Sequence, residues 1–109
     1  MIVGFFRTDS GIEPVKKYLE KVSAIEQARA IAAFDDLAAN GISGSSVILR
    51  QIEGKLWEIK VSSQRVFYVL LAGPEVVLLH AYKKEGQKAP KKEIRTAKKR
   101  MRIVLGEVK

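Results

Sequence analysis

Among the residues from 58 to 84, Glu58, Lys60, Arg65, His80, Tyr82 and Lys84 are of types that move protons or stabilise a phosphate and could share one face. Their spacing follows strand alternation, in which every second residue shares a face. In Leu56–Val61, Trp57, Ile59 and Val61 point one way while Glu58 and Lys60 point the other. In Arg65–Leu71, Val66, Tyr68 and Leu70 form the core set, which leaves Arg65 beside Phe67 and Val69. In Val76–Tyr82 one face carries Val76, Leu78, His80, Tyr82 and then Lys84; the opposite face carries Val77, Leu79 and Ala81. Period two therefore allows one carboxylate, one imidazole, one phenol and three cations to share an open concavity. Cleavage of RNA is a chemistry that such a set suits. There the 2′-hydroxyl loses a proton, the phosphorane oxygens need positive charge, and the leaving 5′-oxygen gains a proton. Arginine and lysine supply the charge, and a glutamate, histidine or tyrosine moves the protons. No metal is required.

A second feature stands beside these residues. The stretch Lys83–Arg102 holds ten Lys or Arg against Glu85 and Glu93, a net +8 that equals the formal excess of the whole chain. Residues 1–82 carry nine basic and nine acidic side chains, so the positive charge is concentrated rather than spread. A like-charged segment repels itself and is accounted for by a polyanionic partner. Lys83, Lys88, Lys91, Lys92, Arg95, Lys98, Lys99 and Arg102 are the candidate nucleic-acid contacts.

The elements that must position both features follow from local pattern. Ile2–Phe6 reads as a first strand ended by Thr8-Asp9-Ser10-Gly11. Pro14 suits the first turn of a helix, and Val15, Tyr18, Leu19 and Val22 give it one apolar face. Ser23 and Glu26 form a capping box for a second helix, whose predicted stripe is Ile25, Ala28, Ile31, Phe34 and Leu37 up to a stop at Asn40-Gly41. Val47–Ile52, Leu56–Val61, Arg65–Leu71 and Val76–Tyr82 are joined by connections short enough to require an antiparallel meander. Pro90 opens a last helix with Ile94, Ala97, Met101 and Leu105 or Val104 inward. Lys91 and Lys92 fall in its first turn, where cations oppose the macrodipole, so their charge is expected to serve something outside the fold. The order is β-αα-ββββ-α, an α+β domain with helices expected on one face of an antiparallel sheet and the first strand free to add elsewhere.

Composition bounds the rest. At 109 residues the chain is expected to be one domain, 1–109, and no apolar run approaches the ~18 residues of a membrane span. The start, MIVGFFRTDSG, has no signal-peptide pattern, so a cytoplasmic location is expected. No cysteine and a single histidine exclude disulfides, thiol nucleophiles and Cys- or multi-His metal sites, and no cofactor is implied. Composition and spacing alone end at a small α+β domain that binds nucleic acid.

An ordered set of pieces then carries a resemblance. Leu56-Trp57-Glu58-Ile59-Lys60, Arg65-Val66-Phe67-Tyr68, and Val77 to Lys84 resemble the phage-derived HigB-like branch of the RelE/ParE toxin superfamily. Gln87-Lys88-Ala89-Pro90, with Glu93, Ile94, Ala97 and Arg100, fits its C-terminal helix. The resemblance implies a RelE-like fold and the toxin of a type II toxin–antitoxin system. In RNA-cleaving relatives the toxin enters the ribosomal A site and cuts mRNA there through the 2′-oxygen, without metal. The partner implied is a helix-turn-helix antitoxin encoded nearby. Carried over, the family's basic positions fall on Lys60, Arg65 and Lys84 or its neighbour Lys83. Another position that is often basic falls on Glu58. The C-terminal tyrosine of some relatives has no match after residue 82, which leaves Tyr82 or His80 for proton transfer. Two alternatives stay open: a gyrase-targeting ParE-like toxin, and a non-catalytic nucleic-acid-binding module.

Overall fold

The protein is described by a computed structural model covering residues 1–86 and 90–106. Its elements are β1 (Ile2–Phe5), α1 (Pro14–Lys21), α2 (Ala24–Gly44), β2 (Ile48–Glu53), β3 (Leu56–Val61), β4 (Gln64–Leu71), β5 (Glu75–Lys83) and α3 (Lys91–Val104). The order β-αα-ββββ-α is the expected one. The helix starts follow from local chemistry. Pro14 sits at the first turn of α1, and the Ser23 hydroxyl accepts from the Glu26 amide at 3.1 Å while the Glu26 carboxylate accepts from the Ser23 amide at 3.2 Å. Gly41, at φ 76°, breaks α2 where the Asn40-Gly41 signal placed its end, and one further turn continues to Gly44.

The five strands lie in the order β1-β5-β4-β3-β2. β2 to β5 form the antiparallel meander. β1 pairs parallel with β5, Ile2 opposite Glu75 and Phe5 opposite Leu78, so the sheet is mixed rather than antiparallel throughout. The reason is connection length. A parallel neighbour needs a long crossover, and the α1–α2 pair is the one connection of the sheet that provides it.

A second correction concerns the helices, which cover both faces of the sheet. α1 and α2 bring Val15, Leu19, Ala30, Phe34 and Leu37 against Ile59, Val66, Tyr68, Val76 and Leu78. On the other face Ala97 of α3, flanked by Ile94 and Met101, packs on Leu56, Phe67, Val69, Val77 and Leu79. β4 and β5 are therefore apolar on both sides, which explains why VFYVLL and VVLLHAY read as nearly unbroken apolar runs. Leu70, expected in the core, is 47% exposed.

The stripe on α2 also differs. Ala30, Phe34 and Leu37 turn inward, whereas Ile25 and Ile31 are exposed. A strict three-residue spacing drifts by about 60° per step against a helix of 3.6 residues per turn, so five such positions cannot share one face. The buried set keeps the mixed spacing of four and three.

Candidate active site

β3, β4 and the end of β5 place the predicted residues on the α3 side of the sheet, in adjacent cross-strand rows. Arg50, Glu58, Phe67 and His80 are successive partners across β2, β3, β4 and β5. The next row is Ile48, Lys60, Arg65 and Tyr82. His80 and Tyr82 reach this face by a route that period two does not give. Phe67 pairs with His80 but Tyr68 pairs with Leu78, so Leu79 is an extra residue in a β-bulge. The bulge splits the expected set. Val76 and Leu78 face α1 and α2, while His80 and Tyr82 stack on Phe67 with ring centroids at 6.3 and 5.6 Å.

Arg65 is held by its own turn. Its Nη1 donates to the carbonyls of Ser62 at 2.6 Å and Gln64 at 2.9 Å. Ser62 has φ 57°, the only positive φ outside glycine among the described residues, and this left-handed turn directs its carbonyl at the guanidinium. Gln64 fixes the same turn to the helices, accepting from the Tyr18 hydroxyl at 2.9 Å and donating to the Glu26 carbonyl at 2.9 Å.

Glu58 is fully buried, and both of its carboxylate oxygens lack an aligned hydrogen bond among the described residues. Its Oε1 lies 3.2 Å from Arg50 Nη2 and 3.9 Å from Arg65 Nε. The buried Tyr82 hydroxyl is likewise without a partner among the described residues. Burial, and then the Glu58 charge, push the Tyr82 phenol above its ordinary value, so it stays protonated at neutral pH. Arg50 was absent from the sequence-derived set. Alternation from Ile48 places it on this face, but its pairing with Glu58 depends on strand register, which no single strand reveals.

His80 has both ring nitrogens engaged by α3. Arg100 Nη1 lies 2.9 Å from Nδ1, and Glu93 Oε2 lies 3.1 Å from Nε2. Arginine can only donate, so Nδ1 is the acceptor and the ring proton sits on Nε2, facing the carboxylate. Burial holds the imidazole below its ordinary 6.5; Glu93 pulls the other way and Arg100 adds to the depression. The folded state therefore binds fewer protons than the unfolded chain as pH falls from 6.5 towards the folded value. The contribution of the neutral His80 to stability is present above 6.5 and is lost as pH falls through that window. Urea midpoints measured between about pH 7 and 5 should show this slope, and His80→Gln should remove it. Glu26 and Asp36, held below the usual carboxylate range by their hydrogen bonds, lose their contributions at lower pH.

The basic surface divides. Lys83 pairs with Glu26 at 2.8 Å and ties the end of β5 to α2. The Lys84 amide donates to the Ser63 carbonyl at 2.8 Å, which brings Lys84 beside the turn before Arg65. Lys92 lines a small concavity of about 300 Å³ with Tyr82, Lys83 and Glu93. Lys91, Arg95, Lys98, Lys99 and Arg102 line a groove of about 810 Å³ along α3 with Ile94 and Glu53. Lys98 is paired with Glu53 at 2.9 Å. Lys88 lies outside the described residues.

The element order, the five-stranded sheet and its flanking helices define an α+β protein of RelE-like fold. The chain belongs to the family described as "Phage derived protein Gp49-like (DUF891)", a RelE/toxin-like family whose model matches residues 17–102. That span contains every residue of the two rows and the basic face of α3. No curated protein matches the sequence significantly. No helix among the described residues is long and apolar enough to cross a membrane.

Proposed function

We propose that this chain, as one domain over residues 1–109, is the toxin of a type II toxin–antitoxin system in the HigB-like branch. It acts in the cytoplasm as a ribosome-dependent mRNA endonuclease. The single observation that carries the reading is Arg65. Its guanidinium is pinned by two backbone carbonyls and set beside a buried carboxylate, and Arg65 pairs directly with a protonated tyrosine on β5. A cation fixed in this way is preorganised for charge that develops on a phosphate and needs little rearrangement as the reaction proceeds.

In the proposed reaction the 2′-oxygen of the RNA bonds to the adjacent phosphorus and the bond from phosphorus to the 5′-oxygen breaks. The products are a cyclic 2′,3′-phosphate and a 5′-hydroxyl. Arg65 and Lys60 neutralise the phosphorane oxygens, and Lys84 approaches from the end of β5. Glu58, whose oxygens are free of aligned hydrogen bonds, accepts the 2′-hydroxyl proton. Glu58, Arg65 and the Tyr82 hydroxyl are buried in the free protein, so the scheme requires RNA binding to open this row, at whose rim Arg50 is half exposed. Tyr82 donates to the 5′-oxygen; His80, with both nitrogens committed to α3, is an anchor in this scheme. The exposed cations of α3, Lys91, Lys92, Arg95, Lys99 and Arg102, grip ribosomal RNA in the A site. A helix-turn-helix antitoxin encoded nearby is the second partner.

Induction in a growing culture, followed by separate pulse labelling of protein and DNA synthesis, tests the reading. Protein labelling should fall first, with new in-frame mRNA 5′ ends on primer extension, and co-expressed antitoxin should restore growth. Loss of DNA labelling first, with mRNA intact, would assign the toxin to gyrase. Salt-sensitive RNA binding without growth arrest would leave a non-catalytic binding module.

A further inference from the structure

The bulge in β5 decides which residues share the site face, and α3 holds that bulge. With unbroken alternation, His80 and Tyr82 would follow Val76 and Leu78 towards α1 and α2. Val77 and Leu79 lie on the α3 side by alternation, and the extra residue brings His80 and Tyr82 to that same side, where both stack on Phe67. A bulge disrupts the ladder locally and leaves its extra residue unpaired. Here the Leu79 carbonyl accepts from Arg100 Nη1 at 3.1 Å. The same nitrogen donates its second hydrogen to His80 Nδ1 at 2.9 Å. One guanidinium nitrogen thus holds both residues of the bulge.

The hold is two-point. Glu93 takes the other nitrogen of the same imidazole at 3.1 Å, and Glu93 and Arg100 lie seven residues apart, about two turns along one face of α3. The Arg100 guanidinium is itself braced over the Phe6 ring at 5.9 Å. A register shift of one residue would turn every following side chain to the opposite face, and the residue most affected is Tyr82, the partner of Arg65.

We infer that Arg100 is a positioning residue: by holding the Leu79–His80 bulge it fixes the register that places Tyr82 beside Arg65. It touches neither RNA nor the reacting atoms. In its catalytic part this rests on the endonuclease reading above. In its structural part it does not.

The test compares purified wild type, Arg100→Gln, Arg100→Lys and, as a docking control, Arg95→Gln. One readout is the nitrogen–proton NMR spectrum, followed at the Arg65 and Tyr82 amides and the His80 ring. The other is steady-state cleavage of mRNA on programmed ribosomes. Arg100→Gln should shift the Tyr82 amide and both His80 ring resonances, and lower kcat by roughly 10- to 100-fold with KM nearly unchanged, as a small misplacement of a reacting group does. Arg100→Lys, which keeps a cationic donor for the Leu79 carbonyl, should recover part of both effects; it carries the comparison if the glutamine variant does not fold. Arg95→Gln should raise KM and leave the β5 resonances in place. Unmoved Tyr82 and His80 signals in the Arg100 variants, or a loss confined to KM, overturn the inference. If wild type cleaves no mRNA, the endonuclease reading fails, and the spectra alone decide the positioning role.

Discussion

Arg65→Ala is expected to lower mRNA cleavage on the ribosome by about two to three orders of magnitude, the loss typical when one preorganised donor to a developing charge is removed. Arg65→Lys should do little better. The native guanidinium uses Nη1 for the Ser62 and Gln64 carbonyls and keeps its remaining nitrogens for the site. A lysine has one nitrogen on a flexible stem, so it anchors or it presents charge, and cannot reproduce the planar fork. The fold should survive, because Arg50 stays 3.2 Å from the Glu58 carboxylate and prevents it from being left buried without a cation. Cleavage rates measured beside urea denaturation check both halves. A folded Arg65→Ala protein with wild-type activity would remove Arg65 from the reaction and leave the proposed site without its centre.

Phe67→Ala is the second large effect, expected on stability: about 3–5 kcal/mol, the usual cost of truncating a buried phenylalanine to alanine. Phe67 is fully buried at the middle of the α3-side core. Its ring is nearly parallel to His80, with an interplanar angle of 4°, and stacks on Tyr82 at 22°. Truncation opens a cavity between the sheet and α3 and removes support from both aromatic neighbours. Against the 5–15 kcal/mol typical of a domain this is a large fraction, and the urea midpoint should fall accordingly. Phe67→Leu, closer in volume, should cost markedly less. A Phe67→Ala protein destabilised by under about 1 kcal/mol would show that α3 rests loosely on the sheet rather than closing a second core.

What the sequence determined by itself was local. The capping box at Ser23 and Glu26, the proline at the start of α1, the break at Gly41 and the span of β3 each depend on residues within one turn or one hairpin. The same holds for the faces of β3 and β4: Glu58 and Lys60 opposite Ile59, and Arg65 and Phe67 opposite Val66 and Tyr68, follow from alternation alone. The concentration of charge in Lys83–Arg102 is a matter of composition and needs no fold to be seen.

Tertiary structure decided the rest. β1 joins the far side of β5, in parallel, because the helices between them supply the crossover. α3 covers the second face because Phe67, Val69, Val77 and Leu79 would otherwise lie in water, a burial that the expectation of helices on one face did not include. Arg50 meets Glu58 only through the register of β2 on β3. His80 is engaged at both nitrogens because Glu93 and Arg100 arrive from an element beginning more than ten residues later. The bulge at Leu79 is the sharpest case. Alternation read from the chain is a rule for one undisturbed strand, and whether a residue is skipped depends on the partner strand and on the guanidinium that accommodates the mismatch. Chemistry types and element boundaries are local properties; which of those groups face one another is set by pairing and packing across the sheet.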